Sequence, residues 1–154
     1  MSERKRLLVV YHTQSGNTGR LAEAVVRGAR RVAETDTVVK RAFDAGVDDL
    51  LGCDALLLGT PENFGYMSGA LKDFFDRTYY PCEGKLTALP YAVFVSAGND
   101  GTGAVREIER IARGYGWKAV ADALIVRKLV SDDALVQCEE LGEAIASGLA
   151  LGIF

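Results

Sequence analysis

Short runs that are apolar throughout alternate along this chain with longer segments whose apolar residues recur every three or four positions. The first pattern marks strands covered on both faces, the second helices with one buried side. Leu7 to Tyr11 reads as a buried strand, and Leu21, Ala24, Val25, Gly28, Ala29 and Val32 then follow a helical rhythm. Thr37 to Ala42 forms a short second strand, and Phe43 to Gly52 is polar, with one helical turn around Asp48 to Leu51. Asp54 to Gly59 is a third strand. Ser68 can cap a helix with Leu71, Phe74, Phe75, Thr78 and Tyr79 on one face, which Pro81 stops. Tyr91 to Ser96 is a fourth strand, followed by a helix on Val105, Ile108, Ile111, Ala112 and Tyr115 that ends near Gly114 and Gly116. Trp117 to Val126 contains a fifth strand, its limits blurred by Asp122, and Trp117 reads as a core residue. Ser131 caps a final helix carrying Leu135, Cys138, Gly142, Ile145 and Leu149.

Strands that alternate with crossover helices give a parallel sheet with helices on both faces. The 154 residues suffice for one domain spanning 1–154, and 49% apolar residues mark it as globular. No internal repeat, low-complexity segment or linker divides it. A net charge of −3 gives no support for nucleic-acid binding, and no apolar run is long enough for a membrane span. Met1 to Arg6 is basic but lacks a signal-peptide cleavage region, so a cytoplasmic location is expected. Arg4, Lys5 and Arg6 read as a solvated edge. Cys53, Cys82 and Cys138 are odd in number, widely spaced and without a C-x-x-C, which suits a reducing compartment rather than a disulfide framework or metal site. His12 is the only histidine, so a metal cluster or a Ser-His-Asp triad has little to build on.

The turn between the first strand and the first helix carries the chemistry. Thr13, Gln14, Ser15, Gly16, Asn17, Thr18 and Gly19 are small or polar. A strand that turns tightly into a helix leaves the first N–H groups unpaired and aimed at the turn. Hydroxyls from Thr13, Ser15 and Thr18, the amide of Asn17, and the close backbone approach allowed at Gly16 and Gly19 complete a neutral cradle for a phosphate. An ordinary helix cap would need only one such residue. A nucleotide P-loop is excluded because Asn17 follows Gly16 and Arg20 follows Gly19 where a Lys is required. The G-x-G-x-x-G dinucleotide spacing is absent. His12, beside the cradle, is open as a ligand contact or an exposed loop residue.

Thr13-Gln14-Ser15-Gly16-Asn17-Thr18 resembles the FMN phosphate loop of the flavodoxin family, (Thr/Ser)-x-Thr-Gly-Asn-Thr, with Ser15 keeping the hydroxyl. Gly59 to Arg77 resembles the flavodoxin-fold NAD(P)H-dependent FMN and quinone reductases, in which a Gly-Thr-Pro loop leads into a Ser/Pro-Gly-x-x-Lys-x-Phe-x-Asp-Arg helix. Ser96-Ala97-Gly98 with its Gly-rich continuation is similar to their second flavin loop. The resemblance spans nearly the whole chain. It implies a flavodoxin-like three-layer α/β/α sandwich, with a five-stranded parallel sheet in order 2-1-3-4-5. It also implies FMN bound noncovalently where the loops after strands one, three and four meet.

On that reading Thr60, Pro61, Glu62, Asn63, Phe64, Gly65 and Tyr66 line the ring, an aromatic covering one face and Gly65 permitting a peptide flip toward flavin N5. Ser96, Ala97, Gly98, Asn99, Gly101 and Gly103 offer backbone to the pyrimidine edge. Residue by residue, Phe64 and Tyr66 are equally open as packing residues, and Gly98, Gly101 and Gly103 as turn residues. Glu62 and Asp100 read more readily as solvated. No catalytic side chain is assigned.

Two functions follow from the resemblance. One is electron transfer through FMN to and from a redox partner protein, favoured by the short chain and the phosphate loop. The other is an oxidoreductase taking hydride from NAD(P)H to reduce a small-molecule acceptor, a quinone or free flavin. It is favoured by Thr60 to Arg77 and by a charge too mild to steer a basic partner. A phosphorylation-signalling receiver on the same topology needs acidic residues after strand one and an Asp ending strand three, where Tyr11-His12 and Gly59-Thr60 stand.

Overall fold

The computed structural model describes residues 4–154. Met1 to Glu3, the start of the basic lead into the first strand, lie outside the described residues. In chain order the elements are β1 (Lys5–Tyr11), α1 (Asn17–Ala29), β2 (Thr35–Arg41), α2 (Val47–Leu51), β3 (Ala55–Pro61) and α3 (Gly69–Cys82). They continue with β4 (Pro90–Ala97), α4 (Thr102–Tyr115), β5 (Lys118–Ala119), β6 (Leu124–Arg127) and α5 (Asp132–Ala150). All pairings are parallel, in the order β2-β1-β3-β4-β5, with β6 also on β4. The expected order 2-1-3-4-5 is therefore present, its fifth strand broken in two. Lys118 and Ala119 pair with Pro90 and Tyr91, and Leu124 to Arg127 pair with Phe94 to Ala97. Asp122 lies in the break, at the polar position that blurred the limits of this strand.

Side chains alternate across a strand, and here each face meets its own helical layer. Leu7, Val9, Ala55, Leu57, Ala92 and Phe94 pack toward α1 and α5. Leu8, Val10, Leu56, Leu58, Val93 and Val95 pack toward α2, α3 and α4. Trp117 is buried in the second layer among Phe75, Tyr91 and Tyr115, as its sequence context suggested. The α1–α5 crossing depends on two missing side chains. A Cβ at Gly28 would overlap the Glu139 carbonyl, and one at Gly142 would overlap the Val25 carbonyl. Arg27 and Arg31 pair with Glu139 along the same seam.

Element ends follow local chemistry. Ser68 Oγ accepts from Leu71 N (3.2 Å) and Ser131 Oγ from Ala134 N (3.1 Å), both as expected of N-caps. Pro81 sits inside the last turn of α3, which runs to Cys82 rather than stopping at the proline. α1 starts at Asn17, four residues before its first apolar position, so the polar turn supplies the helix's own first turn.

Candidate functional site: a cleft at the carboxyl edge of the sheet

Parallel strands all send their following loops to one edge, and this edge holds a cleft of about 350 Å³. Its walls are Gln14, Ser15 and Asn17 after β1, Pro61, Glu62 and Asn63 after β3, Ser96, Ala97 and Gly98 after β4, and Lys128 after β6. Three of these loops were expected from the sequence. The fourth, with Lys128, was not, although the same rule sends the loop after β6 to that edge.

The start of α1 is the anion end of the cleft. Its N-cap, Gly16, takes the left-handed φ of 104° that glycine accepts readily, and its amide donates to Thr13 Oγ1 (3.2 Å). No side chain caps the helix and its first turn contains no acid. The other long helices are provided for: α3 by Ser68, α5 by Ser131 with Asp132 and Asp133, α4 by Glu62. At α1 the N–H groups of Asn17, Thr18 and Gly19 have no intrahelical acceptor. Exposed Ser15 and Asn17 flank them. A phosphate monoester fits that donor set, which has neither a competing carboxylate nor a side chain blocking Gly16.

Thr18 behaves differently from the hydroxyls around it. It is buried, and its hydroxyl shares a 2.6 Å hydrogen bond with Ser96 Oγ. That bond ties the phosphate turn to the end of β4. A second tie runs from Asn63 Nδ2 to Gln14 Oε1 (3.3 Å), joining the first loop to the one after β3. Arg41 lies over the Tyr11 ring and donates to the Thr13 carbonyl (3.4 Å). Partial burial, and then the Arg41 charge, hold His12 below its ordinary pKa, so the neutral imidazole beside the turn is favoured.

The loop after β3 is a tight turn. Asn63 and Tyr66 exchange both backbone hydrogen bonds (2.9 and 3.0 Å) around Phe64 and Gly65, at φ 53° and 71°. Two consecutive positive φ values define the type I′ geometry. Phe64 is fully exposed at the tip, whereas Tyr66 is half-buried against the core. Thr60 is wholly buried, accepting from Ser68 N (2.9 Å) and donating to the Pro61 carbonyl (2.8 Å). It therefore shapes the loop from beneath.

Glu62 is neither solvated nor free. Its carboxylate accepts from Gly101 N (3.0 Å) and Ala104 N (3.2 Å), capping α4 from another loop. Gly101, at φ 83°, and Gly103 are buried where α4 starts. Gly98 and Asn99 are exposed, and Gly98 lines the cleft.

Fold, cleft and uncapped helix define a flavodoxin-like protein that binds FMN and works in redox chemistry. A family model described as NADPH-dependent FMN reductase matches residues 29–128, and the chain belongs to that family. It is similar to a flavodoxin of Aquifex aeolicus (strain VF5), with 29% identity over 95% of this chain and 88% of that protein. An NAD(P)H dehydrogenase (quinone) of Acidithiobacillus ferrooxidans is 35% identical over 59% of this chain, which matches 56% of that protein's length. A solved flavodoxin from the domain Archaea superposes with a TM-score of 0.81 at 26% identity, covering 94% of this chain and 98% of the other.

Proposed function

We propose that the protein is an electron carrier. It would hold FMN with its phosphate on Thr13 to Thr18 and its ring between residues 60–66 and 96–103, and exchange electrons with a redox partner protein. When bound, FMN supplies reversible electron uptake and release. The chain's part is to bind it, orient it, and leave one side open to a partner. The uncapped α1 N-terminus carries the cofactor part of this reading. Support for the carrier role comes from extent: the chain matches 88% of a flavodoxin but 56% of a quinone dehydrogenase. The three buried free cysteines suit a reducing setting, for which we propose the cytoplasm.

The family match favours a second reading, direct use of NAD(P)H to reduce a quinone or free flavin. Anaerobic mixing of the FMN-loaded protein with NADPH, alone and with an NADPH-dependent flavoprotein reductase, separates the two. A carrier keeps its flavin absorbance with NADPH alone and loses it when the reductase is added. Rapid, saturable bleaching by NADPH alone would establish the enzyme instead.

A further inference from the structure

We propose that Lys128 is the counter-cation for the FMN phosphate and adds to the preference for phosphorylated flavin. This rests on FMN occupying the cleft. Lys128 follows β6 directly, and its N–H donates to the Ala97 carbonyl at 2.7 Å, which fixes its Cα beside the loop after β4. Lys128 lines the cleft together with Ser15 and Asn17. It is the one cation among the described residues that line the cleft.

The charges around it are already engaged. Glu62, the one acid in the wall, spends both oxygens on the amides of Gly101 and Ala104. The neighbouring Arg127 donates from Nε to the Asp100 carbonyl (2.8 Å), with its Nη2 4.0 Å from the Asp100 carboxylate. The ion pairs among the described residues do not include Lys128. A lysine without an ion-pair partner among the described residues thus stands at the cleft that also holds the neutral, uncapped N-terminus of α1. A phosphate monoester carries close to two negative charges near neutral pH, more than helix amides neutralise. A flexible lysine stem suits a charge that must follow the phosphate, and its pairing weakens with salt.

The backbone is consistent with a side chain kept for its charge. Lys128 has φ 63°, in the left-handed region where glycine is unstrained. Lysine at this position costs the fold something that glycine would not.

The test is fluorescence titration of the apoprotein with FMN and with riboflavin, in the natural chain and in Lys128→Gln, Lys128→Arg and Lys128→Gly. Lys128→Gln is expected to weaken FMN by about tenfold and leave riboflavin within about twofold. Lys128→Arg should keep most of the FMN affinity. Lys128→Gly should bind like the Gln variant while unfolding at an equal or higher urea concentration, which separates lost charge from lost structure. The gap between natural chain and Gln variant should shrink as ionic strength rises. Unchanged FMN affinity in Lys128→Gln would overturn the proposal. Equal losses for both flavins would also overturn it, by moving the contact to the ring or ribityl chain. If the natural chain itself fails to prefer FMN, the phosphate assignment at α1 fails, independently of Lys128.

Discussion

Gly103, in the first turn of α4, lies so close to Gly65 that a Cβ on Gly103 would overlap the Gly65 carbonyl oxygen. The tip of one loop is thus seated on the start of the helix after another, and Glu62 clasps the same two segments through Gly101 and Ala104. Two loops that meet only in the fold act as one unit. Gly103→Ala must push the tip away, at an expected cost of about 1–3 kcal/mol. Glu62→Ala leaves two amides of α4 without their acceptor, at about 1–2 kcal/mol, and Glu62→Gln should lose less. Urea unfolding of the apoprotein measures all three. A neutral Glu62→Ala would show that water replaces the carboxylate at no cost.

Phe64 pairs a left-handed backbone with complete exposure. It carries the strain of a bulky residue in that region without burial to offset it. Asn-Gly is the preferred sequence for such a turn. Phe64→Asn should therefore stabilise the apoprotein by up to about 1 kcal/mol, read as a higher urea midpoint. Destabilisation would mean that the ring has a partner in solution.

Ser15 and Thr18, alike in the sequence, are expected to separate in experiment. Ser15 is exposed, so Ser15→Ala should weaken FMN by roughly tenfold and leave stability unchanged. Thr18→Ala breaks the buried bond to Ser96 and should destabilise the apoprotein by about 1–2 kcal/mol as well. A double-mutant cycle of Thr18→Ala with Ser96→Ala in urea gives the coupling. Strict additivity would show that the two hydroxyls do not support each other.

Burial, followed by the charge of Asp54, pushes the Cys53 thiol up to about 12, and burial, with Glu139 beside it, takes Cys138 to about 11. Burial likewise pushes the Tyr115 hydroxyl to about 12, against a smaller opposing effect of its bond to Thr78. Folding favours the neutral form of each, so their contribution is complete below the unfolded values of 9.0 for Cys and 10.0 for Tyr. It is lost as pH rises from there through the folded values. The melting temperature should fall steadily above about pH 9, and at about pH 8 the native thiols should resist alkylation that unfolding restores. Rapid native labelling of Cys53 or Cys138 would contradict the burial.

The sheet order and three of the cleft's four walls were legible because each buried strand ends in an abrupt polar turn, and parallel strands bring those turns to one edge. Residue roles were less legible. Thr13, Ser15 and Thr18 look equivalent in one dimension, and only the packing of α1 on the sheet turns Thr18 inward toward Ser96. Glu62 looked solvated because its partners, Gly101 and Ala104, lie far along the chain. Thr60 is buried beneath the loop, with its hydroxyl held by Ser68 N, and Tyr66 is half-buried against the core, placements that the sequence pattern alone does not reveal. Lys128 escaped notice because Asp122 blurs the fifth strand and hides where its last segment ends.

Titration of the apoprotein with FMN and with riboflavin under identical conditions bears most directly on the assignment of the cleft. The two ligands differ only in the phosphate. Several charge-assisted bonds from the Thr13 to Thr18 turn should make FMN bind at least about a hundredfold more tightly. Equal affinities would contradict a phosphate seated at the N-terminus of α1.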